Sequence, residues 1–202
     1  MEQPTRDIFV IAASAGGVQA LQQLVSEFPA DLAAAVFVVV HIGANRQSFL
    51  PQILSRAGPL PAYHPVHGQP IEQGRIYVAP PDFHMRLRPG GIHLDRSAKI
   101  HCTRPAADPL FQSAAETYGS RVGGIVLTGG GFDGTTGARS IVKHGGLIVI
   151  QHPDEAHIPS MPLSVLEAGL PHYCLILDDI ADLLVDLNKG RIRSAADDPH
   201  HE

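Results

Sequence analysis

The sequence has no tryptophan, only two cysteines, few aromatic residues and no cluster of basic side chains. Each shortage excludes something. With aromatics at 5%, the core must be built from Val, Ile, Leu and Ala. Cys102 and Cys174 stand far apart and fit no C-x-x-C spacing, so two reduced thiols are expected rather than a disulfide framework or a metal knuckle. Charged residues are 17% and the net charge is −5 with His neutral. Part of that mild acidity sits in Asp197, Asp198 and Glu202. Such a surface does not track phosphates, so no nucleic-acid partner is expected. No apolar run is long enough for a membrane span, and the polar N-terminus has no signal-peptide pattern. A cytoplasmic protein without membrane insertion is the expectation.

What remains is an ordinary globular balance, 44% hydrophobic over 202 residues. That length suits one domain with a full core. Residues 1–202 read as a single domain, with its core over about residues 7–187 and a frayed tail over 190–202. Continuous apolar runs at residues 8–13, 34–40, 124–128 and 147–151 read as strands buried on both faces. Helical spacing recurs at residues 18–28, 47–55, 108–118, 135–144 and 161–168, and again up to residue 187. Asp108 before Pro109 is the expected N-cap of one helix, and Asp178 or Asp179 of the last. Short strands at 76–79, 83–87 and 92–94, with a Pro89-Gly90-Gly91 turn, read as a small antiparallel segment. The whole predicts an α/β fold: a doubly wound, mostly parallel sheet flanked by helices.

In such sheets ligands bind beyond the carboxyl ends of the strands, and three of those ends carry chemistry. Ser14 follows the first strand and opens a helix, with Gly16 and Gly17 allowing a sharp turn. Taken alone, Ser14 reads equally well as a helix N-cap. His41 ends the second strand, where an imidazole can serve as a base near neutral pH. Asp133 follows the third long strand within Gly129-Gly130-Gly131-Phe132-Asp133-Gly134, and alone it reads better as an N-cap. Together the three supply a nucleophile, a base and an acid to orient the base. Backbone N–H groups at Ala15, Gly16, Gly130 and Gly131 are candidate oxyanion and substrate donors.

These motifs resemble the catalytic domain of the chemotaxis protein-glutamate methylesterases, the CheB family. Ala13-Ser14-Ala15-Gly16-Gly17 is similar to the family's S-[TA]-G-G turn, and Val38-Val39-Val40-His41 to its histidine strand. Leu127 to Gly134 is similar to L-T-G-M-G-x-D-G. Lesser matches are Ile76-Tyr77-Val78-Ala79-Pro80 with His84, the stretch from Arg104 to Phe111, and that from Gln151 to Pro162. The likeness runs in unbroken order over about residues 7–187. It implies hydrolysis of glutamyl methyl esters on chemoreceptors, with deamidation of glutamines as a second reaction. By position, Ser14 would be the nucleophile, His41 the base and Asp133 its orienter. No cofactor or metal is implied. Ala15 stands where the family mostly has threonine, and Gly130 where it mostly has methionine. Residues 42–46 also depart from the family's run after the histidine. The full-length enzymes carry a phospho-receiver domain ahead of this region. The chain starts at the catalytic domain, so any such control would come from a separate response-regulator protein.

Three rival readings exist. Residues 129–134 satisfy G-x-G-x-x-G, with Asp154 and Glu155 about 20 residues on as ribose-binding acids of a dinucleotide site. That fingerprint usually belongs to the first strand of its domain, and it leaves Ser14 and His41 without a role. A non-catalytic signalling module on the same fold is the second rival, and an intact Ser, His and Asp set argues against it. A metal site is the third. His64, His67, His84, His93 and His101 lie close in sequence, and His152 and His157 flank Asp154. None has a ligand spacing of known type. Of these histidines, only His84 has a positional reason to lie near the site.

Overall fold

The computed structural model describes residues 5–41 and 47–191. Residues 42–46 after His41, and nearly all of the expected tail, lie outside the described residues. The order of elements is β1 Ile8–Ala13, α1 Gly17–Ser26, β2 Ala35–Val40, α2 Leu50–Ala57, β3 Ala62–Tyr63, β4 Arg75–Val78, β5 His84–Arg88 and β6 Gly91–Asp95. It continues with α3 Ala107–Tyr118, β7 Val122–Val126, α4 Thr135–Lys143, β8 Leu147–Gln151, α5 Ser160–Glu167, β9 Tyr173–Leu175 and α6 Leu177–Asn188.

Seven strands form one sheet in the order β3-β4-β2-β1-β7-β8-β9, and every pairing in it is parallel. All six residues of β1 and of β2 are buried, because both sheet faces are covered. Phe9, Ile11 and Ala13 point into a core with Leu21, Leu24, Leu54, Ile180 and Leu184 from α1, α2 and α6. Ile8, Val10 and Ala12 point into a second core with Leu110, Phe111, Ala138, Ile141 and Val165 from α3, α4 and α5. The chain leaves β1 toward one border of the sheet and later returns to β7 toward the other. The seam between β1 and β7 is therefore the point where strand order reverses, the usual place for a site.

Strands β5 and β6 form a separate antiparallel pair. It packs on α3, where Leu87 N donates to Ser113 Oγ at 3.0 Å and Thr117 Oγ1 donates to Leu87 O at 3.1 Å. The strand expected at 76–79 does not join this segment; it is β4, paired in parallel with β2. The borders β3 and β9, of two and three residues, are too short to leave a periodic signal. The helix expected from Gln47 starts at Leu50, with Pro51 in its first turn, where a missing N–H costs nothing.

The expected caps also need correction. Helix α6 starts at Leu177 with Ile176 as N-cap; Asp178 and Asp179 sit in its first turn, where they complement the helix dipole. Helix α3 starts at Ala107 with Ala106 as N-cap. Asp108 is inside that helix and buried, and its carboxylate serves another one. No helix among the described residues is long and apolar enough to cross a membrane.

Candidate active site

The register of β1 against β2 pairs Ala13 with Val40, so Ser14 and His41 leave neighbouring strands at the same level. His41 N donates to Ala13 O at 3.3 Å and Ser14 N to Thr128 O at 2.9 Å, which ties both turns to the seam. Helix α1 is capped by Gly16 in the left-handed conformation, φ 80°, with no side-chain cap. Ser14 is therefore not the N-cap.

Close packing fixes the serine from the β7 side. A Cβ added at Gly129 would collide with Met161 Sδ and come within 2.8 Å of Ser14 Cβ. Gly129→Ala is therefore expected to push Ser14 aside and to cut any activity that uses its hydroxyl by at least about tenfold. The rate of covalent labelling of Ser14 by a fluorophosphonate, set beside thermal unfolding of the variant, checks this. An unchanged rate would mean the loop yields freely.

Asp133 holds the third position. Its Oδ2 lies 2.7 Å from His41 Nε2, and the two side chains are 2% and 15% exposed. The same carboxylate accepts Ala107 N at 2.6 Å and Asp108 N at 3.1 Å. Helix α4 begins after Gly134, its own N-cap, so Asp133 caps α3 instead. Asp108 returns the arrangement. Its Oδ1 accepts Gly134 N at 3.1 Å and Gly137 N at 2.7 Å, at the start of α4. Each helix is thus capped by an acid from the start of the other: Asp108 in the first turn of α3, Asp133 just ahead of α4.

The electrostatics follow. Burial alone would raise Asp133, but the His41 hydrogen bond and the Ala107 and Asp108 N–H groups overcome it and hold the carboxyl below its ordinary value. It is an anion held in place, as an orienter of imidazole must be. Asp108 is shifted the other way: burial raises it, the Gly137 N–H opposes, and the Asp133 charge adds to the rise. His41 gives Nε2 to Asp133, so Nδ1 is the nitrogen left for other work. This is the reverse of the usual serine-protease assignment.

The donors proposed for an oxyanion also stand at this edge. The N–H groups of Ser14, Gly17 and Gly129 are spent on backbone carbonyls. Among the described residues, those of Ala15, Gly16, Gly130 and Gly131 have no recorded backbone partner. Gly130 and Gly131 face open space: an added Cβ would meet nothing within 4 Å.

Several residues around the site escaped the sequence. The Thr128 hydroxyl donates to Ala15 O at 2.9 Å and accepts Ile158 N at 2.9 Å, buttressing the Ser14 turn. Gln151, buried at the end of β8, accepts Thr128 N at 2.9 Å. His157 packs against Gly16, close enough that an added Cβ there would lie 2.8 Å from His157 Cβ. The sequence carries only a trace of them: Thr128 within the 127–134 motif, Gln151 and His157 within the 151–162 stretch. His84 stands one residue from the Asp133 contact at the start of α3, as a structural partner of Ala106 beside Ala107. It is fully buried, its Nε2 faces Ala98 O at 3.1 Å and its Nδ1 accepts Ala106 N at 3.3 Å.

The rival ligands find little room. The N-terminus of α4, which would cradle a pyrophosphate, is taken by the Asp108 carboxylate. Glu155 accepts Gln151 Nε2 and Leu177 N, away from a ribose role. Ligand-capable atoms of His101, Asp108 and Asp133 do lie within 4.8 Å of one another. Yet three of the four carboxylate oxygens already accept backbone N–H groups, and the fourth, Asp108 Oδ2, faces His101 Nε2 at 3.2 Å. Treatment with EDTA is expected to leave activity unchanged. Loss of activity, restored by a divalent cation, would assign a metal to this cluster.

Comparison with known proteins agrees with this architecture. The sequence model of the family described as CheB methylesterase matches residues 9–184. A Caulobacter vibrioides protein-glutamate methylesterase/protein-glutamine glutaminase is 38% identical over 192 residues, covering 93% of this chain and 54% of that protein. A Leptospira interrogans relative is 32% identical over 187 residues, covering 92% of this chain and 97% of the relative. The chain spans about half the length of the first curated relatives it matches. The crystal structure of the Thermotoga maritima CheB methylesterase catalytic domain superposes with a TM-score of 0.86 at 32% identity, over 91% of this chain and all of that one. By sequence and by fold alike, the chain belongs to the CheB methylesterase family.

Proposed function

We propose that this chain is a serine hydrolase that cleaves glutamyl methyl esters on chemoreceptor helices and deamidates glutamines at equivalent positions. The observation that carries the reading is the 2.7 Å pair of His41 Nε2 and Asp133 Oδ2, at strand ends on either side of Ser14. The names of the relatives support the substrate class. Residues 1–202 are read as one catalytic domain, acting in the cytoplasm, with a separate response-regulator protein as a candidate controller.

The chemistry follows from the roles. Asp133 accepts the Nε2 proton of His41 and leaves the Nδ1 lone pair for the serine. Ser14 Oγ attacks the ester carbonyl carbon while His41 takes its proton. The carbonyl oxygen becomes an oxyanion, met by N–H groups of Ala15, Gly16, Gly130 or Gly131. The C–O bond to the methoxy group breaks, and the His41 proton leaves with methanol. Water then attacks the acyl-serine, delivers a proton to His41, and frees the glutamate carboxylate as Ser14 recovers its proton. With a glutamine substrate the first leaving group is ammonia.

Methanol release from a methyl-esterified chemoreceptor tests this directly, together with covalent labelling of Ser14 by a fluorophosphonate. Release with labelling is the expected result. A folded chain that shows neither would overturn the reading in favour of a binding role.

A further inference from the structure

The loop from β7 to α4 ends on an exposed ring. Phe132 is 57% exposed, yet its neighbour Asp133 is buried at the centre of the site. An exposed phenyl forgoes the burial that large apolar side chains favour, and here it is held in that position. The His101 ring meets it edge to face, with centroids 4.5 Å apart and planes at 69°, a favoured aromatic geometry. His101 Nε2 lies 3.2 Å from Asp108 Oδ2. Asp108 is fixed by the Gly134 and Gly137 N–H groups. The brace thus runs from the rim down to the floor that also seats Asp133.

Gly130 and Gly131 carry no side chain, and among the described residues an added Cβ on either would touch nothing within 4 Å. Beside the ring the loop therefore presents bare backbone. A run of short contacts joins His41 to the ring: 2.7 Å from His41 Nε2 to Asp133 Oδ2, ligand-capable atoms of Asp133 and His101 within 4.8 Å, and 4.5 Å between the His101 and Phe132 ring centroids. The chemistry of the spot is apolar. The Asp133 and Asp108 carboxylates below are buried and taken by hydrogen bonds, and the His101 Nε2 is spent on Asp108. The phenyl face is what remains to offer.

We propose that Phe132, braced by His101, is a specificity-determining residue that holds an apolar side chain of the substrate helix close to the ester. The inference rests on the methylesterase reading and adds a sequence preference to it. Other glutamates, however accessible, bind less well when that neighbour is small.

A double-mutant cycle tests the contact. The probe is a labelled helical peptide with one glutamyl methyl ester and leucine four and seven residues beyond it; a second peptide has alanine there, and a third lysine. Binding is measured by anisotropy on the Ser14→Ala chain, so that the ester survives. Phe132→Ala is expected to weaken the leucine peptide about tenfold and the alanine peptide hardly at all. Phe132→Tyr should restore leucine binding, and His101→Ala should cause a smaller loss in the same direction. Equal losses for both peptides, no loss, or no measurable binding of any peptide would overturn the proposal. Preference for lysine over leucine would overturn it too, in favour of a cation on the ring. These readouts need no turnover. A wild-type chain that binds the leucine peptide but releases no methanol would sink the esterase reading alone.

Discussion

Ser14→Ala is expected to lower methanol release by about 10⁴- to 10⁶-fold, the range seen when a triad nucleophile is removed. The variant deletes one oxygen and leaves the rest of the site in place. It should fold as the parent does. Ser14 is not the cap of α1, and its backbone N–H, which anchors the turn on Thr128 O, survives the change. The stability difference should stay within about 0.5 kcal/mol, as for substitutions that break no cap or buried bond. Thermal unfolding and methanol release, measured on the same preparation, separate the two effects. A variant that folds and still turns over at the parent rate would remove Ser14 from the mechanism.

Asp133→Asn should damage both rate and stability. A loss of about 10⁴ in kcat is expected from the wrong imidazole tautomer. An amide has one oxygen where the carboxylate uses two. If that oxygen takes the Oδ1 position it faces Asp108 N alone, and the amide N–H group meets both Ala107 N and His41 Nε2. The ring then takes its proton on Nδ1 and has no lone pair for Ser14. If the amide turns over, the oxygen serves Ala107 N and His41 but the amide N–H group meets the Asp108 N–H. Either way a buried bond is lost, at about 1–3 kcal/mol. Substrate binding should hold largely steady, since the role proposed is orientation.

The acid side of the stability profile gives a separate readout. The folded pKa of Asp133 is held below its unfolded value. Such a group adds stability above the unfolded pKa and loses it as pH falls through the folded one. The parent should therefore lose stability from about pH 4 downward, and the Asn variant should lose less over that window. Asp108 has the opposite sign: its folded pKa is raised, and its contribution fades as pH rises through that value. Urea unfolding of parent and variant across the acid range isolates the Asp133 share. Parallel profiles would mean that Asp133 is not held as an anion in the fold.

The long strands were legible because a parallel sheet covered on both faces writes continuous apolar runs, as in Ile8–Ala13 and Ala35–Val40. The level shared by Ser14 and His41 was legible for the same reason: residues just after neighbouring strands leave the sheet side by side. The caps were not. The usual rule looks for an acid one residue ahead of its own helix. Asp108 and Asp133 each serve a helix some 25 residues away in sequence, and no local pattern carries that exchange. The tie of His157 to Gly16 was equally hidden, because it depends on how the loop after β8 returns across the seam. The borders β3 and β9 left too few residues to read.

Those short borders have a consequence for colloidal behaviour. A sheet that ends in a long, flat strand offers its unpaired N–H and C=O groups to any neighbour, and such rims seed stacking between copies. Here an incoming strand finds two residues at one rim and three at the other. Pro61 precedes the first, with no N–H to offer. Concentrated solutions should therefore resist fibril growth through the borders of the seven-stranded sheet.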